Sequence, residues 1–215
     1  MTEVVLGDLR PVSPLAGNAT LTLIIISAIA AAMALLLAIV GAKGYPVMST
    51  FQLVSFNVIL TGMLLVTASS YVKRLVPGSL ITIPVGPVLT IFGVLFACLV
   101  AWQFQRTYNL PMRKLDLACY ECGLLGAGVT FIVAWTIGRR GFWSWNTATI
   151  RALSLLSAAA ALFMLTIHCP LHNARHVLIG HGGAVFTVIG LGIAVSLLSK
   201  RAQNGHGHQA PRPKG

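Results

Sequence analysis

Acidic side chains are nearly missing from this chain. Of its 215 residues, only Glu3, Asp8, Asp116 and Glu121 are carboxylates. None of them falls deep in an apolar run, so a proton-coupled transporter would lack the buried carboxylate such proteins usually need. Charge of either sign is scarce, at 9% of residues against about 25% in an ordinary soluble domain. With 56% hydrophobic residues, a soluble fold of this size could not hide its apolar surface, and lipid must cover it. Cysteine is confined to Cys98, Cys119, Cys122 and Cys169, which excludes a disulfide-dense secreted scaffold. The alternating ten-residue strands of a membrane β-barrel are absent, as are a glycine-rich phosphate loop after a strand and a Ser/His/Asp set. A cleavable signal peptide is not expected either, because the first apolar run follows a polar segment and is longer than a signal core.

Long apolar runs are what the chain does have. A hydrocarbon core of about 30 Å needs roughly twenty apolar residues per helix. Six runs satisfy this, at 19–40, 51–72, 84–104, 118–137, 149–167 and 177–198. Backbone cannot cross lipid unpaired, so each reads as a helix. The expected fold is all-α, a polytopic six-transmembrane-helix bundle. It comprises an N-terminal segment 1–18, a membrane domain 19–200 and a disordered basic tail 201–215. Trp143 and Trp145 fit an interfacial belt. Glycines in the fourth and sixth runs suit close helix packing, and Asn57 in the second is expected to hydrogen-bond between helices. Cys98, inside the third run, reads as a packed or lipid-facing thiol.

The formal net charge of +11 raises the question of nucleic acid, but its distribution argues against direct binding. Lys and Arg sit in the gaps between apolar runs, where they favour anionic headgroups of the bilayer. With the N-terminus inside, ten of them face the cytoplasm: Arg10, Lys73, Arg74, Arg139, Arg140, Arg151, Lys200, Arg201, Arg212 and Lys214. The other five, Lys43, Arg106, Arg113, Lys114 and Arg175, face outward. This bias places both termini in the cytoplasm of a multi-pass inner-membrane protein.

Six spans have a chemical consequence. The start of the fourth and the end of the fifth lie on the same face, so Cys119, Cys122 and Cys169 share it with His168, His172, His176 and His181. Thiolate and imidazole suit zinc, cadmium or another soft metal ion acting as a signal. The Cys119-x-x-Cys122 spacing at a helix start also suits a redox dithiol, and a membrane thiol–disulfide oxidoreductase is the alternative function. A lone C-x-x-C is a weak signal, and small residues packing at helix ends would look the same. A third reading is a small transporter or assembly subunit with no chemistry of its own. On the other face, Val5, Leu6 and Leu9 interleave with Asp8 and Arg10. They form a short amphipathic stretch that could dock into a groove on a partner protein or be a frayed end.

Asp8-Leu9-Arg10-Pro11-Val12 with Pro14, ahead of the first run, resembles the lead-in segment of the negative-regulator-of-sigma-F (NrsF) family. His168-Cys169-Pro170, His176-Val177-Leu178 and His181-Gly182-Gly183-Ala184-Val185 resemble that family's final loop and sixth helix. Cys119, fifty residues before Cys169, fits its upstream cysteine. The resemblance implies a six-helix inner-membrane anti-sigma factor. Its cytoplasmic N-terminus would hold an extracytoplasmic-function sigma factor, and an outer-face cysteine pair would release it on metal or oxidative stress. Cys169 matches the second sensing cysteine, and either Cys119 or Cys122 the first. Only seven residues precede the Asp-Leu-Arg-Pro-Val stretch, short for a sigma-binding segment.

Overall fold

The computed structural model describes residues 17–76, 113–139, 146–170 and 174–206, with nine positions between 86 and 101. Among the described residues, five helices are long and apolar enough to cross a membrane. We label the helices α1 (Asn18–Val40), α2 (Thr50–Leu75), α3 (Arg113–Gly138), α4 (Thr147–His168) and α5 (Gly183–His206). A 3-10 turn at Tyr45–Val47 precedes α2, and a π-helical turn at Val177–Gly182 leads into α5. At about 1.5 Å per residue, the 23 residues of α1 reach about 35 Å, enough to span the hydrocarbon core. No strand occurs among the described residues.

The expected third span, 84–104, lies largely outside the described residues; the nine described positions there are helical, and Cys98 is exposed. Also outside them are Val5, Leu6, Asp8, Leu9, Arg10, His172, Trp143 and Trp145. The basic tail was expected to begin at 201, but α5 continues to His206. One run of i→i+4 bonding carries the helix past the last apolar residue.

The bundle is organised around α4, which packs against α1, α2, α3 and α5. In its most apolar stretch 78% of residues are buried, against 17% to 33% in the other four spanning helices. Composition explains this. Ala158, Ala159, Ala160 and Ala161 form a small-residue run that lets neighbours approach on every side. The neighbours reciprocate with glycines. A Cβ on Gly126 would lie 2.7 Å from Met164 Sδ, and one on Gly123 would lie 2.7 Å from Leu165. Gly192 of α5 sits against Ser154 in the same way.

The outward surface is apolar all round. Leu35, Ile39, Val58, Ile132, Phe186 and Leu198 are each at least 60% exposed. A surface of that kind on helices of that length belongs in lipid, and the chain is a membrane protein. Several interior hydroxyls are satisfied within their own helices, although Ser157 Oγ on α4 finds no partner among the described residues. Thr22, Thr67, Thr130, Ser154 and Thr166 each donate to the carbonyl four residues back, at 2.7 to 3.0 Å. Asn57 departs from expectation: its Nδ2 donates to Leu53 O at 2.7 Å, and its Oδ1 accepts from Tyr45 Oη at 2.7 Å. It therefore fixes the turn before α2 rather than bridging two helices.

Three contacts establish helix direction. Gly44 N donates to Ile167 O at 2.8 Å, placing the loop after α1 at the end of α4. Tyr71 Oη donates to Ala134 O at 3.0 Å, so the final turns of α2 and α3 lie together and those helices run parallel. Arg151 Nε donates to Ser196 Oγ at 3.2 Å, which makes α4 and α5 antiparallel. One end of the bundle thus gathers the end of α1, the starts of α2 and α3, the end of α4 and the π turn. The opposite end holds the start of α1 and the end of α5.

Candidate metal and thiol centre

Cys119 lies early in α3, Cys169 caps the end of α4, His176 stands just before the π turn and His181 lies within it. All four are buried, at 6%, 1%, 0% and 2% exposure. One ligand atom from each lies within 4.8 Å of those of the other three. The Cys119 and Cys169 sulfurs are 3.3 Å apart, and Cys169 Sγ is 3.0 Å from His176 Nε2. The two imidazoles meet edge to face, with centroids 5.3 Å apart and planes at 76°. Leu165 and Ala184 pack beside the sulfurs.

The π turn is what brings the two histidines together. Residues five apart in an α-helix point roughly 140° away from each other, since each step turns about 100°. Bonding from i to i+5 widens the turn, so that residues five apart fall on one side. His176 and His181 are five apart and both point inward. No side-chain pattern in the sequence announces this turn.

Cys122 and His168 take other positions. Cys122 is half-buried one turn beyond Cys119, packed beside the cluster but outside the four-atom group. The close sulfur partner of Cys119 is Cys169, fifty residues on, rather than its C-x-x-C neighbour. His168 turns away toward α1, where its Nδ1 lies 2.7 Å from Gly41 O. A carbonyl only accepts, so Nδ1 carries the proton there. Glu121 is exposed on α3 and is not among the four clustered groups.

The loop after α1 completes the setting, a role the sequence did not suggest. Gly41 adopts φ 89°, a left-handed conformation that favours glycine. Gly44 is buried against the end of α4, where a Cβ would lie 2.5 Å from Thr166 O, 2.6 Å from Cys169 O and 2.8 Å from Ile167 O. Only a glycine lets the loop press on those last carbonyls and hold Cys169 in place. Next to it, burial pushes the Tyr45 phenol above its ordinary pKa, with the Asn57 hydrogen bond opposing. On α3, Tyr120 shares a hydrogen bond with Thr187 at 3.0 Å, tying the helix that carries Cys119 to α5.

Two thiols and two imidazoles in a buried cluster, with no carboxylate beside them among the described residues, can do two things. They can bind a soft divalent cation, or the thiols can be oxidised to a disulfide. No protein-family model, curated protein or solved structure matches this chain.

Proposed function

We propose that this protein is a membrane-bound anti-sigma factor of the NrsF type. It holds an extracytoplasmic-function sigma factor through its N-terminal segment and releases it when Cys119 and Cys169 respond to oxidants or soft metals. The observation that carries the reading is the 3.3 Å approach of two buried thiols from different helices, at the bundle end opposite the start of α1. Sensor and partner segment would then face opposite sides of the membrane.

The oxidative step is balanced with peroxide as the two-electron acceptor. Two thiols lose two protons and two electrons, one S–S bond forms, and the peroxide O–O bond breaks to give two waters. A disulfide needs about 2.05 Å between sulfurs, so Cys119 Sγ and Cys169 Sγ must close by about 1.2 Å, through side-chain rotation together with an approach of the start of α3 to the end of α4. Cys169 follows directly on His168, whose ring holds Gly41 at the end of α1. A movement there is delivered to the helix that leads back to Val5, Leu6, Asp8, Leu9 and Arg10. The signal biases a two-state bundle, and the partner reads the bias.

Six spans are part of this proposal. Because α2 and α3 run parallel, the chain leaves α2 at one face and begins α3 at the other. A crossing between them, in the stretch read as the third span, supports the even count. Both termini are assigned to the cytoplasm on the Lys and Arg bias.

The test is co-purification of a sigma factor encoded beside this protein. Full-length protein is expected to retain it, and a chain lacking residues 1–14 to lose it. Peroxide or cadmium should release it from the wild type but not from a Cys119→Ser, Cys169→Ser double variant. Retention without residues 1–14 would refute the binding segment, and normal release from the double variant would refute the sensor.

A further inference from the structure

We infer that Cys119, Cys169, His176 and His181 form a closed four-coordinate site for a divalent d10 cation, zinc or cadmium, in the reduced protein. The inference rests on the reading of Cys119 and Cys169 as the sensing pair, and it adds both histidines as ligands.

Three observations carry it. The first is spacing. Zn–S bonds near 2.3 Å and Zn–N bonds near 2.05 Å give tetrahedral edges of about 3.3 to 3.8 Å. The sulfur pair at 3.3 Å and the Cys169–His176 pair at 3.0 Å lie about 0.5 Å inside their S–S and S–N edges, so a small opening would seat the ion, and no pair in the group exceeds 4.8 Å. The second is an orphan. His181 Nε2 is fully buried and makes no hydrogen bond among the described residues, while the imidazole itself lies against the Cys119 thiol. A buried nitrogen left unpaired costs about 1–3 kcal/mol, and a metal bond at that nitrogen would answer it. The third is backbone. A π turn interrupts the last span at the point where it aims His176 and His181 into one space with the two thiols. Such turns are rare irregularities found frequently at functional sites.

The donor set identifies the ion. Two thiolates and two imidazoles in a tetrahedron select zinc and its softer congener, whereas magnesium and calcium require oxygen ligands. Four protein ligands leave no open position, so the site is structural or regulatory rather than catalytic. Metal uptake would replace the thiol protons, so affinity should fall as pH drops and the ligands are protonated.

The experiment uses the full chain, purified in detergent under reducing, oxygen-free conditions. Elemental analysis should find about one zinc per chain, and cobalt replacing it should give tetrahedral d–d bands with a thiolate charge-transfer band. Cys119→Ser, Cys169→Ser, His176→Ala and His181→Ala should each weaken cobalt binding by about 100-fold or more. Cys122→Ser should bind like the wild type. Since an alanine variant could fail to fold, His181→Cys provides the second arm. It should restore tight binding with a stronger charge-transfer band, as three thiolates now ligate. Cadmium displacing cobalt would extend the site to both ions, and cobalt held against excess cadmium would overturn that extension. Absence of zinc and cobalt from protein that still links Cys119 to Cys169 on oxidation would overturn the site and leave the sensor reading intact. Four-ligand binding in a chain that holds no sigma factor would uphold the site and overturn the function.

Discussion

Gly44 is the residue whose side chain matters most by being absent. Its N–H bonds Ile167 O at 2.8 Å while three carbonyls crowd the place a Cβ would take. Gly44→Ala is expected to cost about 1–3 kcal/mol through forced backbone movement and to lower the melting temperature in detergent. Gly128→Ala is the control, because a Cβ there meets nothing within 4 Å, and its melt should match or slightly exceed the wild type, as alanine favours a helix over glycine. Equal melts for the two variants would show that the loop after α1 does not press on α4. At this scale the sequence identified the right kinds of residue but not their partners. Cys119 and Cys122 are equivalent as letters in a C-x-x-C; only rotation about α3 aims Cys119 at Cys169 and leaves Cys122 half-buried. His168 and His176 both read as candidate ligands, yet His168 is committed to Gly41.

At the scale of elements, α4 occupies the mechanical centre, and its last turn is tied twice to the end of α1. One tie is backbone, through Gly44 and Ile167; the other is the His168 ring on Gly41 O. His168→Ala removes the second and leaves the thiols in place. Under the proposed function, the expected outcome is a protein in which peroxide still links Cys119 to Cys169, seen by mass spectrometry, but releases less of a bound sigma factor than the wild type. Undiminished release would mean that the movement reaches the N-terminal segment by another route, such as the broader packing of α1 on α3. Helix existence was legible in the sequence because twenty apolar residues in lipid have one way to satisfy their backbone. The π turn was not, because it leaves no compositional mark.

For the whole molecule, helix direction places Lys73, Arg74, Arg139, Arg151, Lys200 and Arg201 toward the end opposite the thiols. Topology reporters inserted after Val76 and after Arg201 are therefore expected to report the same side, the cytoplasm. A reporter inserted after Pro170 should report the other. Opposite signals from Val76 and Arg201 would break the parallel arrangement of α2 and α3 and, with it, the separation of sensor from partner segment.

The sequence by itself determined that this chain is helical and lives in lipid, since charge is too sparse and apolar surface too plentiful for water. It also led to the expectation that cysteines and histidines collect at one face, because the start of one span and the end of the next share a side, and among the described residues Cys119, Cys169, His176 and His181 do meet. Which of them meet was decided only by tertiary structure. Helix rotation, the widened turn before α5 and the glycine loop after α1 are fixed by packing against α4, and packing joins residues far apart in the chain. The four-residue cluster exists because those three features converge on one buried point, a convergence that no local pattern encodes.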